Sequence, residues 1–557
     1  MSAYLDYQHK AGEYMGLWAS IKGLFRKGGA KLGMIKSLGA ITDDPRIAVP
    51  AEEYTRIRKA KDYYSDKPQD VHYWVLGHEK KRKMNTVNMT QKASKRLASI
   101  IFNEQCSIKV NDNDLQKQLD EIFRESRFYT TFETNLQRAI ALGSSAIRPY
   151  VEDDKIKLNW SDALSVYPLT ANTTEVREIA LARKIVKTVN DEPHYYTLLE
   201  FHQWGNKQAD ENGHEYTPYT ITNELYESTD ESETGTQVPL NSIEEYADLP
   251  KQATFTHITK PLFAFYRNPG DNNKSFTSPL GLGVCDNCRN ILDDINVTQD
   301  GFYWDVKTGR RRVTIPQSWV RRQTQINGNP IPKNQQMYWD TDDDVFVPIN
   351  AKVDDSNVFK DLTINIRTEQ YQAAMSYFLH EFENEIGLSE GTFTATPTGI
   401  QTATGVVSSN SMTYQTRSSY LTQVEDTIDQ LVYAIAELLQ TPELWNDQQP
   451  KWTGDLDSLV ITPDFNDGIF VDQDAQFKND LSALNAGAMP VKEFVKRNYN
   501  LSDDEAENWA EQLQKEKATP APDFEQFNPL APDTKNKGTD KHGSGTKQDD
   551  ETGKQDS

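Results

Sequence analysis

Cysteine, positive charge and long apolar runs are all scarce in this chain. Its 557 residues include three cysteines, too few for a disulfide framework and in keeping with a reducing cytoplasm. No run reaches the ~18 consecutive apolar residues of a membrane-spanning helix. The chain start lacks the basic stretch, apolar core and small-residue cleavage point of a secretory signal. Lysine and arginine total 60 against 83 aspartates and glutamates, a formal charge of −23. A protein that grips DNA tightly needs a positive surface or a basic stripe, so any nucleic acid here is held loosely or passes by. The GxxxxGK[ST], HExxH and GxSxG patterns are missing as well, and with them the usual marks of an NTPase, a zinc protease and a serine hydrolase.

The residues that could still carry chemistry do not assemble into a site. Cys285 and Cys288 form a lone pair at CxxC spacing, whereas zinc needs four ligands; on a helix the two would share a face and simply pack. Gly281 and Gly283 lack a third glycine and a preceding strand. Asp340, Asp342, Asp343 and Asp344 open like a calcium loop, but Val345 stands where glycine is needed, and a solvated turn is expected. His380 faces away from the apolar stripe of its helix, with no partner in the sequence pattern. No enzyme, metal or cofactor is read from these residues.

What is present is material for several cores. Hydrophobic residues make up 37%, with 25 Tyr, 22 Phe and 10 Trp, enough for two to four domains and for large anchors at subunit contacts. The clearest patterns lie between Asp361 and Pro442. Tyr371, Met375, Phe378, Phe382 and Ile386 recur at helical steps, with Ala374 and Leu379 widening the stripe; Asn365 can cap the start and Gly387 can end the helix. A threonine-rich, nearly chargeless loop follows. Leu421, Val424, Ile428, Leu431, Ile435 and Leu438 then mark a second helix up to Thr441 and Pro442. From Val406 to Gln440 it would span roughly 50 Å. Its stripe serves either a core or a subunit interface; the sequence does not choose. Two helices joined by an uncharged loop suggest a rigid frame holding a probe.

Elsewhere the reading is coarser. Residues 1–50 hold an amphipathic basic segment around Trp18, Ile21, Leu24 and Phe25, expected to dock on its own domain rather than on a membrane. Residues 52–111 read as mainly helical, with Lys80, Lys81, Arg82 and Lys83 on a solvated helix end and a strand at 107–110. A helix at 114–143 precedes a run of alternating strands to Tyr226, and the acidic stretch 227–252 reads as a surface loop. Ser278 and Pro279 start a helix over 281–305 with Val284, Cys288, Ile291, Leu292, Ile295 and Phe302 on one face. A compact β-rich segment with Trp319, Tyr338 and Trp339 follows. Strands at 459–462 and 468–471 rejoin the sheet. Helices at 474–485, 490–498 and 502–514 follow, the last with Ser502 and Glu505 as a capping box. Past Ala518 the composition cannot offset chain entropy. The fold class is α+β.

This order resembles the portal proteins of tailed bacteriophages, of the type found in siphophages of Gram-positive hosts. The likeness runs from about Lys59 to Gln514. It rests on Thr86-Val-Asn-Met89 leading to Ala98-Ser-Ile-Ile-Phe-Asn-Glu104, on Gly143-Ser-Ser-Ala-Ile-Arg-Pro-Tyr150, and on Ser278-Pro-Leu-Gly-Leu-Gly-Val284. Asn365-Ile-Arg367 opening a helix that ends Ile386-Gly-Leu-Ser389, and Thr402-Ala-Thr404, complete it. One departure is Gly405, where the family often has an acidic residue.

The resemblance implies a portal fold: a mixed α/β wing (51–280 and 405–473, the latter with the long helix), a two-helix stem (281–306 and 362–388) and a small β-rich clip (307–361). A tunnel loop (389–404), a helical crown (474–517) and a disordered tail (518–557) complete it. It implies a ring of twelve copies at one capsid vertex of the virion, assembled in the host cytoplasm. Double-stranded DNA would be packaged and ejected through the ring. Partners would be the terminase large subunit, the head-tail adaptor, and the major capsid and scaffolding proteins, with no membrane and no cofactor. Tunnel-loop residues Thr392, Thr394, Thr396, Thr398 and Gln401 would face DNA, and Trp319, Tyr338 and Trp339 would serve clip docking. Tyr371, Met375, Phe378, Phe382 and Ile386 would pack the stem. The alternatives are another virion structural protein, such as an adaptor or minor capsid protein, and a nucleic-acid-processing enzyme.

Overall fold

The computed structural model describes residues 36–518 apart from 76–77, 104–105, 171–174, 210–212, 310–312, 317–324, 327–328, 331–345, 350–359, 362–364, 395–409, 466–472, 500 and 502. The basic segment around Trp18, the capping serine Ser502, the Asp340–Asp344 run, the expected strand at 468–471 and the tail beyond Ala518 lie outside the described residues. The chain forms two compact units, residues 1–470 and 471–557.

In the first unit a short strand, Ser37–Leu38, precedes the first helix, α1 (Ala51–Tyr64). An antiparallel hairpin, Asp70–Val75 with His78–Lys83, follows it. The expectation of helix through this region is corrected here. Val71, Tyr73 and Val75 alternate as a strand does, and Lys80, Lys81, Arg82 and Lys83 sit on its partner strand, not on a helix end. Next comes α2 (Met89–Ile101), whose first turn is capped by the Asn88 side chain accepting the Gln91 N–H at 3.0 Å. The helix expected over 114–143 is two: α3 (Asn113–Glu125), capped by Asp112, and α4 (Phe128–Leu142). Arg127, at φ 49°, turns the chain between them, and Gly143, at φ 100°, ends the second.

The main sheet is antiparallel and seven-stranded. Along it lie Ser37–Leu38, Gly235–Val238, Tyr219–Ser228, Glu192–Trp204, Ile179–Val189 and Val166–Pro168, with Gln252–Phe255 added beside Tyr219–Ser228. A three-stranded sheet places Ser144–Glu152 between Ala264–Arg267 and Lys155–Asp162. The stretch 227–252 is more ordered than its acidic composition suggested. It supplies one strand, and Ile243 and Tyr246 are buried against Leu198 and Leu225. Ile461–Asp464 returns to pair with Ser107–Val110.

Three further helices complete this unit. The first is α5 (Arg289–Thr308), and it starts eight residues later than Gly281, where the sequence placed it. Residues 278–288 instead run as turns, because Asn268, Asn272 and Ser144 side chains take up their backbone groups. Cys288 is therefore the residue before the helix, and Cys285 lies in the turn; both are buried. Burial and the neighbouring Cys285 thiol hold the Cys288 thiol well above the usual range, with the thiol contact the larger effect. The second is α6 (Thr368–Glu385). The residue before it is Arg367, which makes no side-chain cap, so the cap expected at Asn365 is not formed. The third is α7 (Ser411–Gln440). Its stripe is internal: Val424, Ile428, Leu431, Ile435 and Leu438 are fully buried in the chain's own core and Leu421 packs against it. That settles the choice the sequence left open. Five such side chains contribute roughly 10 kcal/mol of gross burial energy, before chain entropy is subtracted.

Between α5 and α6 the described pieces are strands. Val313–Pro316 runs parallel to Phe346–Ile349, and Gln325–Ile326 pairs with Asn329–Pro330. The second unit contains α8 (Gln473–Asn485), α9 (Val491–Tyr499) and α10 (Asp503–Ala518). Phe477 meets Phe494 and Tyr499 meets Trp509, with Lys492 bonded to Glu507 at 2.7 Å. The described residues thus form an α+β protein with ten α-helices.

Candidate functional site

The pair α5–α6 and the loop root after it are held by polar contacts to several other elements. The two helices run antiparallel. At one end Arg367 donates to Asp305 at 2.8 Å and to the Tyr371 hydroxyl at 3.0 Å. Asp305 thereby raises the pKa of the Arg367 guanidinium. The Phe302 and Tyr371 rings lie 5.5 Å apart, and Tyr371 covers Gly301, where a Cβ would come within 3.3 Å of the tyrosine hydroxyl. Towards the other end Leu292, Ile295, Phe382 and Ile386 enter the main core.

Polar anchors tie α5 to the body along its length. At its entrance Asp286 accepts from Arg56, from Arg289 and from the Gly283 N–H at 2.8 Å. Arg56 also reaches Glu53 at 3.1 Å and the Gly281 carbonyl at 3.0 Å. Further along, Tyr63 donates to Asp293 at 2.9 Å, and the Val87 N–H donates to Asn296 at 2.9 Å. Asp300 takes both arms of the Arg82 guanidinium at 2.6 Å and the Asn85 N–H at 2.9 Å. Hydrogen bonding to Arg82 holds the Asp300 carboxyl below its ordinary range, against the opposing effect of burial. A paired fork of this kind fixes direction as well as distance. Arg82 also lies over the Trp304 ring, and Tyr73 meets the same ring edge-on. The basic run that looked like a solvated surface is partly an anchor.

The loop root is built from α6 and the first turns of α7. Glu383 is wholly buried. Its carboxylate accepts the Phe393 N–H, the Thr394 N–H at 3.0 Å and the Thr394 hydroxyl at 3.1 Å. The Thr392 hydroxyl donates to the Ser389 carbonyl at 2.7 Å. Ser389 and Thr413 exchange bonds: the Ser389 N–H donates to Thr413 Oγ1 at 2.8 Å, and the Thr413 N–H to Ser389 Oγ at 3.2 Å. Thr416 donates to the Gly387 carbonyl at 2.7 Å. Gly387 has φ 73° and no room for a Cβ beside Thr416, which is why glycine stands there. Arg417, buried in α7, donates to the carbonyls of Ile100 at 2.7 Å and Phe465 at 2.9 Å.

The residues singled out from the sequence fall into three groups. Phe382 and Ile386 are buried, while Tyr371, Met375 and Phe378 are half-buried, so the α6 stripe enters the core only at its C-terminal end. Thr392 and Thr394 are half-buried at the loop root, and their hydroxyls are engaged within the chain. Thr396, Thr398, Gln401, Trp319, Tyr338 and Trp339 lie outside the described residues. His380 is less solitary than it looked, since its Nδ1 lies 3.6 Å from Glu383. Sequence reasoning missed Glu383, Arg82, Asp300 and the Ser389–Thr413 exchange. Glu383 had a signal: it follows Leu379 by four residues on an apolar stripe, where a carboxylate is out of place.

Among the described residues no His, Cys, Asp and Glu group is suited to hold a metal ion, and no helix is long and apolar enough to cross a membrane. The geometry on view is a packed helix pair and a hydrogen-bonded loop root, the architecture of a structural element. A family model described as phage portal protein, SPP1 Gp6-like, matches residues 43–519, and the chain belongs to that family. It is a structural, non-enzymatic subunit of the virion, located at a capsid vertex, with a head-tail connector role in DNA packaging. Members form an oligomeric ring through which DNA passes. No curated protein matches the chain.

Proposed function

We propose that α5 and α6 are the stem of the portal ring and that the segment after Thr394 is the part that meets DNA. The antiparallel pair α5–α6 supports this: it carries a small strand-rich insert at one end and enters the core at the other. By helix geometry α5 is about 30 Å long and α6 about 27 Å, enough for a tunnel wall several DNA base pairs deep. The insert 307–361 is then the clip, with Trp319, Tyr338 and Trp339 as its docking side chains for the terminase large subunit and later the head-tail adaptor. The α+β body with α7 is the wing, and α8–α10 are the crown. Twelve copies close the ring, held in the capsid by contacts to the major capsid and scaffolding proteins.

The charge balance suits a conduit. DNA carries one charge per ~1.7 Å of axis, and a basic wall would bind it firmly and salt-dependently. A chain of net charge −23 with a threonine- and glycine-rich loop offers Thr396, Thr398 and Gln401 for brief hydrogen bonds and no deep electrostatic well. Closing the ring requires a head-to-tail contact. Exposed apolar side chains Val297, Tyr303 and Val306 on α5 and Tyr377 on α6 are available for it. The test is to delete residues 396–402 and measure DNA filling of assembled particles. Rings should form and filling should drop. Normal filling would remove the loop from the mechanism.

A further inference from the structure

Glu383 is an expensive residue where it stands. Removing a carboxylate from water is unfavourable unless donors replace the solvent. Among the described residues no lysine or arginine lies within ion-pair distance of it. An apolar side chain at 383 would have extended the stripe of Leu379, Phe382 and Ile386 at no such cost. What the carboxylate gains instead is two consecutive backbone N–H groups, from Phe393 and Thr394, and the Thr394 hydroxyl. Thr394 Oγ1 in turn accepts the Gly391 N–H at 3.0 Å. Successive N–H groups converging on one anion form a concave cradle, and here the anion is supplied by the preceding helix.

We propose that Glu383 is the positioning residue of the tunnel loop. It fastens residues 389–394 to α6, so that the part of the loop acting on DNA begins only after Thr394. A load on the loop then reaches α6 through the Glu383 carboxylate and α7 through the Ser389–Thr413 exchange. This rests on the reading of the following segment as the DNA-facing one. It also assigns Thr392 and Thr394 to the root, where their hydroxyls are engaged within the chain.

The experiment compares assembled rings of the natural chain, Glu383→Gln, Glu383→Ala and Thr394→Val by hydrogen exchange over residues 389–394. The glutamine keeps an oxygen that accepts both N–H groups, so its protection should stay close to that of the natural chain. The alanine should raise exchange at Phe393 and Thr394 by about tenfold or more, the scale of losing bonds to a charged acceptor. Thr394→Val, which removes one hydroxyl and leaves the carboxylate in place, should fall between. Should the alanine variant fail to assemble, the glutamine and valine variants still rank the root. Unchanged protection in the alanine variant, or equal loss in glutamine and alanine, overturns the proposal. Packaging separates the two readings. If deletion of 396–402 packages normally, the DNA-facing reading fails while exchange still decides the role of Glu383. If that deletion blocks packaging but Glu383→Ala packages normally despite a loosened root, the load path through Glu383 is overturned.

Discussion

Gly143 and Gly281 meet backbone to backbone. A Cβ on Gly281 would sit 2.4 Å from the Gly143 carbonyl oxygen, and one on Gly143 would sit 2.2 Å from that of Gly281. The contact presses the turn before α5 onto the end of α4 and so sets the point from which α5 departs. Gly281→Ala has no backbone-angle penalty, so its cost is collision alone, about 2 kcal/mol. Gly270, at φ 95° with nothing within 4 Å, isolates the other effect, and Gly270→Ala should cost about 1 kcal/mol. Thermal melting should rank the two in that order.

Asp300 is the clamp between the hairpin and α5. Asp300→Asn keeps the shape but loses the charge and half of the fork, and should cost about 1–3 kcal/mol. Arg82→Lys should not be milder than a conservative change elsewhere on the strand, because a lysine cannot bridge both oxygens. Melting, together with hydrogen exchange over 70–87, reads both. A variant with unaltered exchange there would show that the hairpin is held by Tyr73 and Trp304 alone.

Asp429 on α7 gives a dependence on pH. Burial, then the charges of Glu425 and Asp426, push its carboxyl up to about 6 from 3.8, and Asp429 Oδ1 has no hydrogen-bond partner among the described residues. A carboxyl held higher in the folded state than in the unfolded one supports folding fully below about pH 4. That support is lost as pH rises through 6. Solvent screening of this half-exposed group reduces the effect to about 1 kcal/mol. Asp429→Asn should therefore raise the melting midpoint at pH 7.5 and have little effect at pH 4. An equal gain at both values would contradict the assignment.

Ala374 lies in the middle of α6. Proline there removes a helical hydrogen bond and clashes with the turn before it, at a cost of about 3 kcal/mol or more. Ala374→Pro should abolish ring assembly. Native-like rings from this variant, seen by size and by imaging, would refute the helix as a wall of the ring.

Legibility in the sequence followed the reach of each interaction. The α7 stripe was plain because its period is local, and its stop at Thr441 and Pro442 was plain for the same reason. The hairpin at 70–83 is not legible although Val71, Tyr73 and Val75 alternate, because the alternation is short and the charged run beside it fits a solvated helix end equally well. Its true role needs Asp300, more than two hundred residues away. The late start of α5 depends on Asn268, Asn272 and the Gly143–Gly281 approach, none of which leaves a periodic trace. The site was half legible. Threonines in an uncharged loop marked the region, but which of them hold the root depends on a buried glutamate on the preceding helix.

Imaging of the purified protein by negative-stain electron microscopy tests the central claim most directly. Rings with an open centre, twelve-fold in projection, are the predicted result. Compact single particles with no opening, at concentrations where the chain is folded, would contradict it.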